Sequence, residues 1–136
     1  MNRSILLGYQ LLTGASDTAT GALLMITPAL TLQLLHLPAP ATELIFPALV
    51  GAFVFSVGLS CLYGALVAYR GGAKKELEII WLLTAFSRAS VAIFVFEQVL
   101  AGTLASGWLA VAGYYAVCVL VQATGLRKRW LATAAG

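Results

Sequence analysis

Four long apolar runs divide the chain, at about residues 5–26, 44–69, 77–100 and 108–126, and polar residues collect between them. Each run has about the 20 residues that an α-helix needs to cross the hydrocarbon core of a bilayer. The expected fold class is therefore all-α: a four-transmembrane-helix bundle, one integral membrane domain over residues 1–136. Arg3 before the first run gives it the look of a secretory signal. Asp17 interrupts that run, however, and no small-x-small cleavage site follows, so the segment is expected to stay.

Local signals set the boundaries. Pro28 should stop or kink the first helix. The apolar stretch from Ala29 to Pro38 is too short to cross and reads as an interfacial or re-entrant piece, ended by Pro38 and Pro40. Thr42 is the expected N-cap of the second span, with Glu43 at its positive dipole end. Gly71 and Gly72 should end that span, and Glu76 and Glu78 open the third. Trp108 and Trp130 stand where membrane-edge aromatics belong, and the tail from Leu131 to Gly136 is expected to fray. No internal repeat, low-complexity stretch or domain linker interrupts this plan.

Charge gives the orientation. Seven of the eight Lys and Arg residues lie outside the runs: Arg3, then Arg70, Lys74 and Lys75, then Arg127, Lys128 and Arg129. They fall on alternate connections, and the stretches 29–43 and 101–107 carry none. Cationic side chains accumulate in short cytoplasmic loops, so both termini are expected inside, across a membrane of the bacterial inner (plasma) type. The chain is 61% hydrophobic and only 10% charged, against about a quarter charged in soluble domains. Mean hydropathy is +0.95. A net charge of +3 and a pI near 9.1 do not argue for a nucleic-acid partner, because the cations form no continuous stripe. Membrane lipid, in an anionic inner leaflet, is the partner they suit.

The eighth cation, Arg88, lies in mid-span, and Asp17 and Glu97 are carboxylates within spans. Ionisable groups in the membrane are costly and face cavities or partners. Helical rise puts Asp17 roughly 20 Å and Arg88 roughly 15 Å from the cytoplasmic edge, with Glu97 at roughly 28 Å. Glu97 is nine positions beyond Arg88 and on its opposite helix face, so Asp17 is the expected partner of Arg88. Gln10, Thr13, Gly14, Asp17 and Gly21 form one stripe of the first helix. Thr84, Ser87 and Arg88 cluster on the third, Ser56, Ser60 and Gly64 make a small-xxx-small series on the second, and Tyr114 or Tyr115 reaches the same depth on the fourth. Asp17, Arg88, Tyr114, Ser60, Thr84 and Glu97 are the candidate ligand-binding residues. An equally physical reading has the Asp–Arg pair merely fixing helix register. For Glu97, beside Gln98 near the outer edge, a solvated carboxylate reaching headgroups is the other reading. Gln122 reads as a packing or snorkelling residue.

Other chemistry is sparse. Cys61 and Cys118 share a depth of about 12 Å and read as small hydrophobes. No CxxC, HExxH or His pair exists, so no protein-built metal site is expected. His36 is the only histidine; it reads as an interfacial residue beside Pro38, with proton sensing or haem ligation as the other reading. No Gly-rich phosphate loop, Ser-His-Asp set or paired catalytic carboxylates appear, so an enzyme is disfavoured and no cofactor is named.

Gly21, Pro28, Leu32 to Leu35 and Leu37-Pro38, followed by the Gly-rich second span (Gly51, Gly58, Gly64), resemble the DoxX-like four-helix membrane proteins. The resemblance covers the first two spans well and the last two by topology. Members often carry Gly before the Leu-Pro pair, where this chain has His36. The wider group is similar in architecture to sterol-isomerase and sigma-2-receptor bundles, which implies a small apolar or amphiphilic ligand among the helices. The leading expectation is such a ligand in an intramembrane polar pocket, walled by Phe53, Phe55, Phe94 and Tyr114. The alternatives are a proton-coupled transporter or channel acting as a homodimer, and a structural subunit that docks through the Ser56/Ser60/Gly64 face.

Overall fold

The computed structural model describes residues 2–38 and 44–131. These are helical throughout, in the order α1 (Arg3–Ile26), α2 (Pro28–Leu34), α3 (Ile45–Tyr69), α4 (Lys74–Leu100) and α5 (Leu109–Arg127), with one turn of 3₁₀ helix at Ser106–Trp108 leading into α5. Pro28 stops α1 and begins α2, as its missing N–H and fixed φ require. The expected Thr42 cap, Glu43 and Pro40 lie outside the described residues. Among the described residues, α3, α4 and the Ser106–Arg127 stretch are long and apolar enough to cross a membrane. Large apolar side chains face outward on every long helix, among them Leu12, Leu49, Phe86 and Leu120. Such a surface is stable in lipid and not in water, and the protein is an integral membrane protein.

Three helices end the same way, with a left-handed residue followed by a bond back to the last turn. Gly71 has φ 68°, and the Gly72 N–H reaches Val67 O at 2.8 Å. Gly102 has φ 76°, with Thr103 N–H on Gln98 O at 3.0 Å. His36 takes that position after α2 with φ 54°, and Leu37 N–H meets Leu32 O at 2.8 Å. Leu32 and Leu37 then pack with Leu24 against Trp108 and Val111, so the segment after α1 closes one end of the bundle.

The opposite end is closed by Leu6, Val67, Ala68, Leu77, Trp81 and Leu131. Leu131 is thus packed, not frayed as expected, because it fills the end between α1 and α4. There the Arg3 guanidinium donates from Nε to Ala68 O at 3.1 Å and from Nη2 to Tyr69 O, satisfying carbonyls that the end of α3 leaves open. Helix α4 begins at Lys74, three residues before the apolar run. Only Glu76 lies in its first turn, and Glu78 pairs with Lys74 at 3.4 Å.

Helices α1 and α3 pack closest, backbone to backbone. A Cβ added at Gly21 would meet Gly51 O at 2.6 Å and Phe55 Cα at 2.7 Å. One at Gly58 would meet the Thr18 N–H and Gly14 O. Of the Ser56/Ser60/Gly64 series, only Gly64 lies in the contact, against Gln10. Both serines are exposed, and each donates to its own helix, Ser56 to Phe53 O and Ser60 to Ser56 O. Steps of four drift around a helix, whereas the buried series Gly51, Val54, Gly58, Cys61, Ala65 and Ala68 alternates steps of three and four. The α1/α3 pair meets the α4/α5 pair through larger side chains. Tyr9 meets Trp81 with ring centroids 5.5 Å apart, and Ser16 meets the Tyr114 hydroxyl at 3.0 Å.

Candidate functional site

Buried positions on α1 and α4 keep one register. Leu6/Leu77, Gln10/Trp81, Thr13/Thr84, Asp17/Arg88 and Leu24/Val95 are all separated by 71 residues, the separation of the ion pair itself. Two helices running in the same direction with matched heptads place equal heights side by side, which brings Asp17 to Arg88 without distortion. The Arg88 Nη2 donates to Asp17 Oδ2 at 2.6 Å and to Cys61 Sγ at 3.4 Å. Its Nη1 donates to Gln122 Oε1 at 3.4 Å. Gln122 Nε2 donates to Thr84 Oγ1 at 2.7 Å, and the Thr84 hydroxyl donates to Ile80 O at 2.8 Å. Four helices are joined by one polar chain. Arg88 is 1% exposed and Asp17 3%, so water contributes nothing to satisfying them.

Both terminal nitrogens of the guanidinium are therefore committed, while its Nε has no partner among the described residues. Neither cleft described below is lined by Asp17 or Arg88, and the pair links α1 to α4 across the two helix pairs. Gln122 belongs to this link instead of merely packing, and its 0% exposure rules out snorkelling. Its place in the buried α5 series Tyr115, Cys118, Gln122, Gly125 was the available signal. Tyr115 is the buried tyrosine of the pair, while Tyr114 is half exposed with its hydroxyl on Ser16. Glu97 is exposed on the outer face of α4, and nothing brings it to Arg88. Phe94 is likewise 59% exposed, so it walls no interior pocket. Among the described residues, no group of three or more His, Cys, Asp or Glu side chains could hold a metal ion. Cys61 and Cys118 are free and buried.

Open space lies on the far side of Thr84, in a groove between α3 and α4. A cleft of about 310 Å³ is lined by Leu59, Ser60, Tyr63, Ile80, Leu83 and Thr84. An adjoining cleft of about 130 Å³ adds Phe53, Ser56, Val57 and Ser87. The two share Ser60, Leu83 and Thr84. Thus Ser60 and Thr84 sit together in the groove, Asp17 and Arg88 behind it with the Tyr114 hydroxyl beside Asp17, and Glu97 elsewhere. The Tyr63 hydroxyl donates to Glu76 Oε1 at 2.5 Å at one end of the groove. Comparison with known proteins finds no family model, curated protein or solved structure that matches the chain.

Proposed function

We propose that this is a four-crossing protein of a bacterial inner membrane, with both termini cytoplasmic, that binds a small amphiphile from the lipid phase in the α3–α4 groove. The observation that carries the reading is the groove itself. Its wall is apolar (Leu59, Ile80, Leu83, Phe53) and set with the small hydroxyls of Ser56, Ser60, Thr84 and Ser87, the mixture that ligand sites use. The larger cleft, at about 310 Å³, sits at the lower bound of small-molecule sites and holds roughly ten heavy atoms at about 30 Å³ each. The Asp17–Arg88 strut supports the groove through Gln122 and Thr84, holding α4 at a fixed spacing from α5 and α1. Proton exchange gains no support from a carboxylate held 2.6 Å from a guanidinium.

Native mass spectrometry of protein extracted in mild detergent tests the reading. The native protein is expected to retain one small adduct, and Ser60→Trp, which fills the groove from an exposed position, to lose it with an unchanged melting temperature. Equal adducts on both proteins, or a second copy of the chain in place of a small molecule, would remove the groove from the ligand's path.

A further inference from the structure

Gln10 is 0% exposed, and neither its Nε2 nor its Oε1 has a hydrogen-bond partner among the described residues. Buried amides are nearly always paired, and in hydrocarbon no water compensates. Its surroundings say where the amide points. The place that a side chain at residue 64 would fill is held by the Gln10 Nε2, and the Ile80 Cγ2 lies 3.2 Å from that same place. Gly64 is the notch that admits the amide to the α3–α4 interface, and Ile80 is the groove residue beside it. One branched side chain separates an unpartnered donor and acceptor from the groove.

The hydroxyls of the larger cleft cannot supply what the amide offers. Ser60 and Thr84 spend their protons on backbone carbonyls, and Tyr63 spends its proton on Glu76. Those three can accept but not donate, and Ser87 lines only the adjoining cleft. No charged side chain lines either cleft.

We infer that the Gln10 amide, reached past Ile80 through the Gly64 notch, is the headgroup-recognition group of this groove, and that it selects an uncharged amphiphile bearing a hydroxyl or amide. The inference rests on the groove reading and names the ligand class for it. Such a headgroup both gives and takes a hydrogen bond, matching Nε2 and Oε1 together. A carboxylate would leave Oε1 facing an acceptor, and a quaternary ammonium would leave both amide atoms unpaired. The remaining eight or so carbons lie along Leu59, Ile80 and Leu83.

The test uses the full-length protein in phosphatidylcholine nanodiscs with 1-octanol, octanoate and octyltrimethylammonium as separate probes, read by native mass spectrometry and melting temperature. Only 1-octanol is expected to give a one-to-one adduct and raise the melting temperature. Gln10→Leu should weaken octanol binding about tenfold, the value of one good neutral hydrogen bond or slightly more. The same variant without probe should melt higher than the native protein, because it removes an unpaired buried amide. A structural role for Gln10 predicts the opposite sign. Octanol bound equally by native protein and Gln10→Leu, preferred binding of either charged probe, or a lower melting temperature for Gln10→Leu overturns the inference while the groove stands. No small-molecule adduct on the native protein, with Ser60→Trp also without effect, removes the groove reading itself.

Discussion

The Arg88 guanidinium can stay charged in this bundle only because Asp17, Cys61 and Gln122 replace its water. Removing one partner leaves the other charge buried and alone, which costs about 3–5 kcal/mol. Asp17→Leu and Arg88→Leu are each expected to destabilise by that order in reversible unfolding in mixed micelles. The double variant Asp17→Leu/Arg88→Leu should recover at least half of the summed loss, because no charge is then left unpaired. Simple additivity of the two losses would show that the residues act separately. Glu97→Gln, at an exposed site, should change stability by no more than about 0.5 kcal/mol. The pair was readable in the chain because an ion within an apolar run must find a partner, and helical rise put only one candidate at its height. What Gln10 does was not readable. Its place on the polar stripe follows from spacing, but its want of a partner depends on Gly64 and Ile80 from two other helices. Ser60 failed as a contact residue for a similar reason, since small size alone does not say which face a helix turns to its neighbour.

At the scale of elements, the α1–α3 contact depends on glycines at which added atoms would strike backbone. Gly58→Ala drives a methyl into Thr18 and Gly14 O, and separating the helices should cost about 1–3 kcal/mol. Gly113→Ala meets nothing within 4 Å and should gain up to about 1 kcal/mol from helix propensity. Opposite signs for two Gly→Ala changes, read by thermal unfolding, would tie the first effect to packing; equal effects would refute it. The α2 terminus gives a second contrast. His36 occupies a left-handed position with φ 54°, where a side chain costs about 1 kcal/mol or more. His36→Gly should therefore stabilise by about 1 kcal/mol, and a loss would mean that the imidazole makes a contact worth more than the strain. Element positions were legible from the apolar runs, and helix ends from Pro28 and the Gly71–Gly72 pair. The packing faces were less so, because every side of these helices is apolar and lipid and protein neighbours leave the same signature.

For the whole molecule the number of crossings turns on α1. Composition alone singles out α3, α4 and the Ser106–Arg127 stretch; α1 falls short because Gln10, Thr13, Ser16, Asp17, Thr18 and Thr20 dilute it. Yet most of those groups are spent internally or turned inward, and Leu12, Leu23 and Ile26 face outward. The 24 residues of α1 reach about 36 Å at 1.5 Å per residue, more than the roughly 30 Å hydrocarbon core. Its glycines meet α3 from Gly14–Leu62 to Gly21–Gly51, and Gln10 extends that contact to Gly64. Under the four-crossing proposal, a helix so joined along its neighbour shares that neighbour's passage. Lys and Arg then fall at a single end: Arg3 on the last carbonyls of α3, with Arg70, Lys74, Lys75 and Arg127 to Arg129 around it. Single-cysteine variants at Ser4, Ala73, Thr103 and Arg127, in a background lacking Cys61 and Cys118, test this in intact cells with a membrane-impermeant maleimide. Only Thr103→Cys is expected to label before lysis, since it alone lies at the cation-free end. Ser4→Cys is the deciding position. If it labels from outside while Ala73→Cys does not, α1 fails to cross, the count is three, and the matched register of α1 and α4 would have to arise within a bundle whose first helix lies on the membrane.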